Sequence, residues 1–122
     1  MAVYRLSATA QQDIIELLAY TDATFGEVAR LRYERLLVTA LRDIAADPER
    51  LGSLARPELG ENIRSYHLRY SRELAKTEYG IVLRPRHLLL YRAARAHIIG
   101  IGRILHDAMD LERHLPVDYG DD

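Results

Sequence analysis

The sequence predicts an α+β fold in which a helical hairpin near the N-terminus packs on a mostly antiparallel β-sheet. Two observations predict it. Apolar residues recur with helical spacing between residues 10 and 44, and a single glycine, Gly26, interrupts them. From residue 63 to residue 105, apolar and polar residues alternate instead with the period of a strand. Because short connections join these strands, the expected element order is β–αα–βββ–α with antiparallel neighbours.

The first half of the chain is predicted to hold one short strand and two helices. Residues 3–6 alternate and predict a strand, and Ser7 is a favourable N-cap for the helix that follows. Gly26 ends this helix, since glycine adopts the left-handed C′ conformation without strain. The second helix ends at Asp47, which precedes a proline. Its apolar face consists of Ala29, Tyr33, Leu37, Ala40, Leu41 and Ile44.

The second half is predicted to form the sheet. Residues 48–62 contain two prolines and two glycines and are expected to be a loop. Alternation at 63–70 and 97–105, and a denser apolar run at 87–93, predict three strands. Residues 94–96 are the connection between the last two.

Two further segments have weaker patterns. Residues 71–86 are charged, and 79–83 within them are an expected hairpin arm that extends the sheet. After the last strand, Asp107 is expected to cap a short C-terminal helix that runs through His114 and stops before Pro116.

Length and composition predict a single domain. The chain has 122 residues and no cysteine, which excludes disulfides and cysteine-based zinc sites. We expect one domain at residues 1–116 and an acidic, frayed tail at 117–122. Neither a signal peptide nor an apolar segment of transmembrane length is evident, so the expected location is the cytoplasm, without membrane association.

Positive charge is concentrated in one block. Residues 63–106 carry a net charge of +7, whereas the whole chain carries −1. Such asymmetry favours an anionic partner. Arg64, Arg92 and Arg103 lie on three different predicted strands and would form a cationic stripe if the strand register aligns them. The alternative is that each arginine is solvated or pairs locally with an acid such as Asp107 or Asp110.

No cofactor or metal site is expected. His106, Asp107 and His114 do not supply the three or four converging ligands that a metal needs, because His106 and His114 are eight residues apart. The GIG sequence at 100–102 lies inside a predicted strand and lacks the helix that follows a phosphate-binding loop.

Several short segments, spread over most of the chain, resemble those of a known family. They are YRLS at residues 4–7, IRSYH at 63–67, RHLLLYR at 86–92, RILHDAMD at 103–110 and RHL at 113–115. The most specific of them is RILHDAMD, which directly follows a predicted strand. On these segments the chain resembles the ParE toxins of the ParE/RelE superfamily of type II toxin–antitoxin systems.

The resemblance implies a toxin that is neutralised by a ParD-like antitoxin encoded beside it. The C-terminal segment of such an antitoxin wraps the toxin, and its N-terminal part dimerises and binds operator DNA, so the toxin contacts the operator only indirectly. An exposed strip on the helical hairpin, formed by Leu31, Leu36 and Val38, is the expected antitoxin-binding surface.

The resemblance leaves two mechanisms open, because members of one fold differ in function. ParE-type toxins inhibit DNA gyrase, whereas RelE-type relatives cut mRNA on the ribosome with lysines, arginines and a tyrosine that follows the last strand. Arg103 matches the strand arginine, but Met109 stands where the tyrosine is expected. We therefore expect a non-catalytic gyrase inhibitor whose target-binding residues are Arg64, Arg92, Arg103 and His106. The alternatives are a nuclease with His106 as the base, or a non-toxic interaction module of the same fold.

Overall fold

The computed structural model describes residues 3–95 and 97–120, without the side chains of residues 94 and 95. The chain forms the strand β1 (Val3–Leu6), the helices α1 (Ala8–Phe25) and α2 (Glu27–Ala46), and the strands β2 (Ser53–Ala55), β3 (Ile63–His67), β4 (His87–Arg95) and β5 (Ile98–His106). Short 3-10 helices lie at Pro57–Leu59, Leu68–Ser71, Glu73–Ala75 and Leu111–His114. The predicted α+β fold with an N-terminal helical hairpin is confirmed.

The five strands form one mixed sheet in the order β1-β5-β4-β3-β2. The pairs β2–β3, β3–β4 and β4–β5 are antiparallel, as expected. Short connections join β2 to β3 and β4 to β5, whereas residues 68–86 join β3 to β4. The first strand instead pairs parallel with the last, with Val3 opposite Ile98 and Leu6 opposite Ile101. Along the chain, the helical hairpin lies between β1 and the other four strands. It packs on the sheet that the five strands form together.

The helical hairpin begins and turns as the sequence predicts. The Ser7 hydroxyl accepts a hydrogen bond from the Ala10 N–H at 2.9 Å and donates one to the Gly102 carbonyl at 2.8 Å, so this buried N-cap also fixes α1 to β5. Gly26 has φ +95°, a conformation that favours glycine, and lies between α1 and α2. The α2 helix ends at Ala46, with Asp47 as its C-cap.

Apolar side chains are buried on both faces of the sheet. On the first face, α1 and α2 cover a core that includes Leu36, Ile44, Tyr66, Leu89 and Tyr91. On the second face there is a smaller core of Leu59, Ile63, Leu90, Leu105 and Tyr119. The two faces therefore differ in what covers them, because the second core lies under the 57–59 turn and the C-terminal segment rather than under the long helices.

The third strand is shorter than predicted, and the loop before it contains an additional strand. Residues 53–55 form β2, an edge strand that pairs with β3. The expected strand 63–70 ends at His67, and a 3-10 helix follows. Its start is fixed by side chains, since His67 Nδ1 accepts the Arg69 N–H at 3.1 Å. Farther along, the Ser71 hydroxyl donates to Asp43 at 2.6 Å. The local bond at His67 competes with strand pairing, and the contact with Asp43 fixes the segment that follows to α2.

Two other expectations are also corrected. The described residues 79–83 form no strand; Thr77 and Gly80 make only an isolated bridge. The C-terminal helix is a 3-10 helix over Leu111–His114 whose N-cap is Asp110. Asp107 does not cap it, because its carboxylate is occupied by Arg86 and His67. In the expected connection 94–96, Ala96 lies outside the described residues, and β4 continues to Arg95.

The acidic tail packs on the second face of the sheet, although it was expected to be frayed. Tyr119 is only 6% exposed, and the Arg92 guanidinium lies 4.6 Å from the centre of its ring. Gly102 makes room for this packing, since a Cβ there would lie 2.5 Å from Pro116 Cγ and 2.6 Å from Tyr119 Cε2. Residues 121 and 122 are outside the described part of the chain.

Replacement of Gly102 by alanine tests this packing. The added methyl group displaces Pro116 and the Tyr119 ring, so Gly102→Ala should lower the free energy of unfolding by about 1–3 kcal/mol. Val117→Ala is the control, since Val117 is 92% exposed in the same tail and its loss should change stability by less than about 0.5 kcal/mol. Urea unfolding of both variants measures the difference, and equal stabilities would show that the tail is not held on Gly102.

Candidate functional site

Arg103 is held by an acid on the first helix. Its Nε and Nη2 donate to the two carboxylate oxygens of Asp13 at 2.8 and 3.0 Å, and Nη1 donates to the His114 carbonyl at 3.2 Å. The same carboxylate accepts the Ile104 N–H at 3.0 Å. Both side chains are largely buried, 21% exposed for Arg103 and 11% for Asp13. The expected local partners were Asp107 and Asp110; the partner is instead an acid ninety residues away along the chain.

The other two strand arginines also have partners. Arg64 Nε donates to the Ser53 hydroxyl at 2.7 Å, so it joins β3 to the edge strand β2. The Tyr91 hydroxyl bonds to the same serine and to the Pro48 carbonyl. Arg92 packs on the Tyr119 ring of the tail. Each arginine therefore contributes to the structure as well as to the charge of its surface.

The three arginines do not form one stripe. Residues that pair across neighbouring strands point to the same face of a sheet. Arg64 pairs with Tyr91, which belongs to the core under the helices, whereas Arg92 pairs with Ile63 of the second core. Arg103 pairs with Leu90, also of the second core. Arg64 thus lies on the opposite face from Arg92 and Arg103.

His106 belongs to a cluster of polar side chains where β4 begins and β5 ends. It pairs with His87 across the two strands, and the two rings are in edge-to-face contact with centroids 5.3 Å apart. The Tyr33 hydroxyl on α2 lies 2.7 Å from His87 Nδ1. The same hydroxyl accepts the Arg86 N–H at 3.1 Å. Three elements, α2, β4 and β5, therefore position this site.

The hydrogen bonds of Tyr33 fix the state of His87. Because the Tyr33 oxygen accepts the Arg86 N–H, its own proton is available to His87 Nδ1, which makes Nε2 the protonated nitrogen of a neutral ring. Burial lowers the pKa of His87 to about 4, with the nearby His106 acting in the same direction. Burial likewise raises the pKa of Tyr33 to about 12. Both groups are uncharged at neutral pH.

Asp107 balances the positive charge beside the two histidines. Its carboxylate accepts bonds from Arg86 Nε and Nη2, the shortest at 2.9 Å, and from His67 Nε2 at 2.9 Å. The hydrogen bond from Arg86 lowers the pKa of Asp107 to about 2, with His67 contributing in the same direction. Asp107 is thus charged at neutral pH and anchors Arg86 next to His87.

A separate groove lies along α2, at the predicted antitoxin surface. Leu31, Arg35 and Val38 form one wall, and the loop at residues 76–79 forms the other, around a volume of about 520 Å³. Arg32 holds this loop on the helix by donating to the Tyr79 carbonyl at 2.7 Å. Leu31 and Val38 therefore line a groove, as a binding surface requires. Leu36 does not: it is 0% exposed in the core, because it faces the sheet.

Sequence reasoning named His106 as a candidate and did not predict the side chains that surround it. Tyr33 was assigned to the apolar face of α2, and His87 to a buried strand, with no polar role for either. Their partnership joins residues 54 positions apart, and only the packing of α2 on the sheet reveals it. The one local pattern in the sequence that indicates this site is the pair of histidines, one at the start of a strand and one at the end of another. Within the described part of the chain, no group of three or more metal-binding side chains is found.

The comparisons with known proteins identify the family. A family model described as the ParE toxin of the type II toxin–antitoxin system parDE matches residues 4–111. The chain belongs to the ParE toxin family. No curated protein matches the sequence. The family match confirms the resemblance drawn from the short segments, and it spans both the helical hairpin and the sheet. None of the helices in the described residues is long and apolar enough to cross a membrane.

The buried state of His87 predicts a pH dependence of stability for this ParE-family chain. Its pKa is about 4 in the folded chain and 6.5 without perturbation, so between these values the unfolded chain binds a proton that the folded chain does not. The free energy of unfolding should therefore fall by about 2–3 kcal/mol as the pH is lowered from 6.5 to 4.

His87→Asn is the matched variant, because its Oδ1 can accept the Tyr33 hydrogen bond but does not titrate. Urea unfolding of both proteins over this pH range separates the contribution of His87 to stability from that of the carboxylates, which titrate in both proteins. The variant should lose less stability on acidification. Parallel pH profiles for the two proteins would contradict a buried neutral His87.

Proposed function

We propose that this protein is a toxin that inhibits DNA gyrase in the cytoplasm and is neutralised by a ParD-like antitoxin. Membership of the ParE family supports the toxin–antitoxin role. Gyrase is the target that the resemblance to ParE-type toxins implies. The antitoxin would cover the protein in a hetero-oligomer and link it to operator DNA, which the toxin itself does not read.

The observation that carries the proposal is the state of Arg103. A ribosome-dependent nuclease needs a cation that is free to stabilise charge on the phosphate. Arg103, the strand arginine that matches the nuclease pattern, has two of its three nitrogens on Asp13 and the third on a carbonyl oxygen. Its charge is neutralised before any substrate arrives. Met109, at the position expected for the tyrosine, is 44% exposed and has no titratable group.

Two other arginines and the tyrosine after the last strand are also held in contacts within the fold. Arg50 pairs with Asp43 at 2.9 Å, and Arg56 pairs with Glu58 at 2.9 Å. Tyr119, the tyrosine that follows the last strand, is buried where the tail packs on the second face of the sheet. These contacts favour a protein that acts by binding its target rather than by cutting RNA.

One observation supports the nuclease as the second candidate. His87 and His106 are in ring contact, and Tyr33 orients His87 as a positioning group orients a general base. Such a pair offers proton-transfer groups that the Arg103 region lacks. Both candidate functions involve His106, so its place in the fold does not separate them, and assays on gyrase and on ribosomes distinguish them.

Purified protein should impair supercoiling of plasmid DNA by gyrase or trap cleaved DNA. Arg92→Ala and His106→Ala should each raise the concentration needed for inhibition about tenfold, if these side chains contact the target complex. Arg42→Ala is the matched control, since Arg42 is exposed on α2, away from both positions, and should inhibit as the native protein does.

The same preparation should leave mRNA intact on translating ribosomes. Cleavage of mRNA, together with undisturbed gyrase, would establish the second candidate instead. Expression of the chain alone should arrest bacterial growth, and co-expression with the neighbouring antitoxin gene should restore it. Harmless expression alone would favour the third possibility, a non-toxic interaction module of the same fold.

The groove along α2 is the proposed antitoxin-binding surface. Val38→Asp places a charge on its apolar wall and should weaken antitoxin binding at least tenfold, because a buried unpaired charge is costly in an interface. Ile15→Asp is the control, as Ile15 is 61% exposed on α1 and does not line the groove. Titration calorimetry with the antitoxin measures both. Equal affinities of the two variants would place the antitoxin elsewhere.

A further inference from the structure

We propose that His87, His106 and Arg86 form a binding site for the phosphate groups of a nucleic-acid backbone. The three side chains lie together where β4 begins and β5 ends. The site is separate from the groove along α2 and from the Arg103 ion pair. The choice of DNA as the ligand rests on the proposed function, in which the target is an enzyme bound to DNA.

Both imidazole rings carry a hydrogen-bond donor on Nε2. His106 Nδ1 accepts the Ala108 N–H at 3.0 Å, so in the neutral ring the proton is on Nε2. His87 also carries its proton on Nε2, because Tyr33 occupies its Nδ1. The ring contact, with centroids 5.3 Å apart, brings the two rings together. Phosphate oxygens accept such hydrogen bonds.

Arg86 adds a guanidinium beside the two rings. Its backbone N–H is bound to Tyr33, which also holds His87, so the same hydroxyl positions both residues. Its Nε and Nη2 bind Asp107, and within the described residues Nη1 makes no hydrogen bond. The side chain is 58% exposed, and a ligand can reach it.

The charges around the site favour an anion. Among the described residues, Asp107 is the acid in contact with these three side chains, and Arg86 already neutralises it. Residues 63–106, which contain all three donors, carry a net charge of +7. His106 is 38% exposed, whereas His87 and Tyr33 are held behind it by burial. The arrangement places one accessible ring and one accessible guanidinium over a rigid, buried support, which is suited to binding a phosphate without large rearrangement.

Imidazole resonances of the full-length protein test the site directly. With nitrogen-labelled histidine, a short DNA duplex should shift the signals of His87 and His106 and leave those of His97 and His114 unchanged. Inorganic phosphate, added afterwards, should displace the duplex and move the two signals to the positions that they take with phosphate alone. The NMR titration contains no gyrase, so its result does not depend on the outcome of the gyrase assay. In the same way, an absence of shifts in the titration would not exclude gyrase inhibition.

His106→Asn is the variant that isolates the donor. Asparagine keeps an acceptor for the Ala108 N–H and lacks the Nε2 donor, so affinity for the duplex should fall about fivefold to tenfold. His97→Asn is the matched control, since His97 is exposed and has φ +67°, which asparagine also adopts. No shift at His87 and His106, shifts with phosphate but not with DNA, or equal losses in the two variants would each overturn the proposal.

Discussion

The ion pair between Asp13 and Arg103 joins the first helix to the last strand, and much of the architecture depends on it. Asp13 binds the guanidinium through both oxygens and also accepts the Ile104 N–H, where β5 has run beyond its partner β1. Arg103 in turn binds the His114 carbonyl, at the end of the last 3-10 helix. One pair of charges thus connects the helical hairpin, the sheet and the C-terminal segment. Because both partners are mostly buried, removal of either would leave an unbalanced charge, which commonly costs about 3–5 kcal/mol.

The same pair determines where function can lie. An arginine committed to a carboxylate does not stabilise charge on a substrate, so Arg103 itself has a structural role. The polar cluster of Tyr33, His87 and His106 lies where β4 begins and β5 ends, and its accessible members are His106 and the neighbouring Arg86. The tail closes the second face by packing Tyr119 on Arg92 and over Gly102. In this ParE-family chain, the arginine that matches the nuclease pattern therefore stabilises the fold instead of contacting a substrate.

Local patterns predicted the fold well and the site poorly, for one physical reason. Helix periodicity, the Ser7 cap and Gly26 depend on neighbours within a few residues, and each was predicted correctly. The parallel pairing of β1 with β5 joins residues almost a hundred positions apart, and no local pattern encodes it. The partner of Arg103 could not be found for the same reason, since Asp13 lies ninety residues away along the chain. Leu36 was misplaced because an apolar strip on a helix does not reveal which side faces the sheet.

The most direct test of this account is the coupling free energy between Asp13 and Arg103. It is obtained from urea unfolding of the native protein, Asp13→Ala, Arg103→Ala and the double variant. If the pair holds the helix on the sheet, each single variant should be strongly destabilised and the second substitution should cost little more, for a coupling of about 2 kcal/mol. Additive losses, with a coupling below about 0.5 kcal/mol, would contradict the structural role of Arg103 and make it available as a functional cation again.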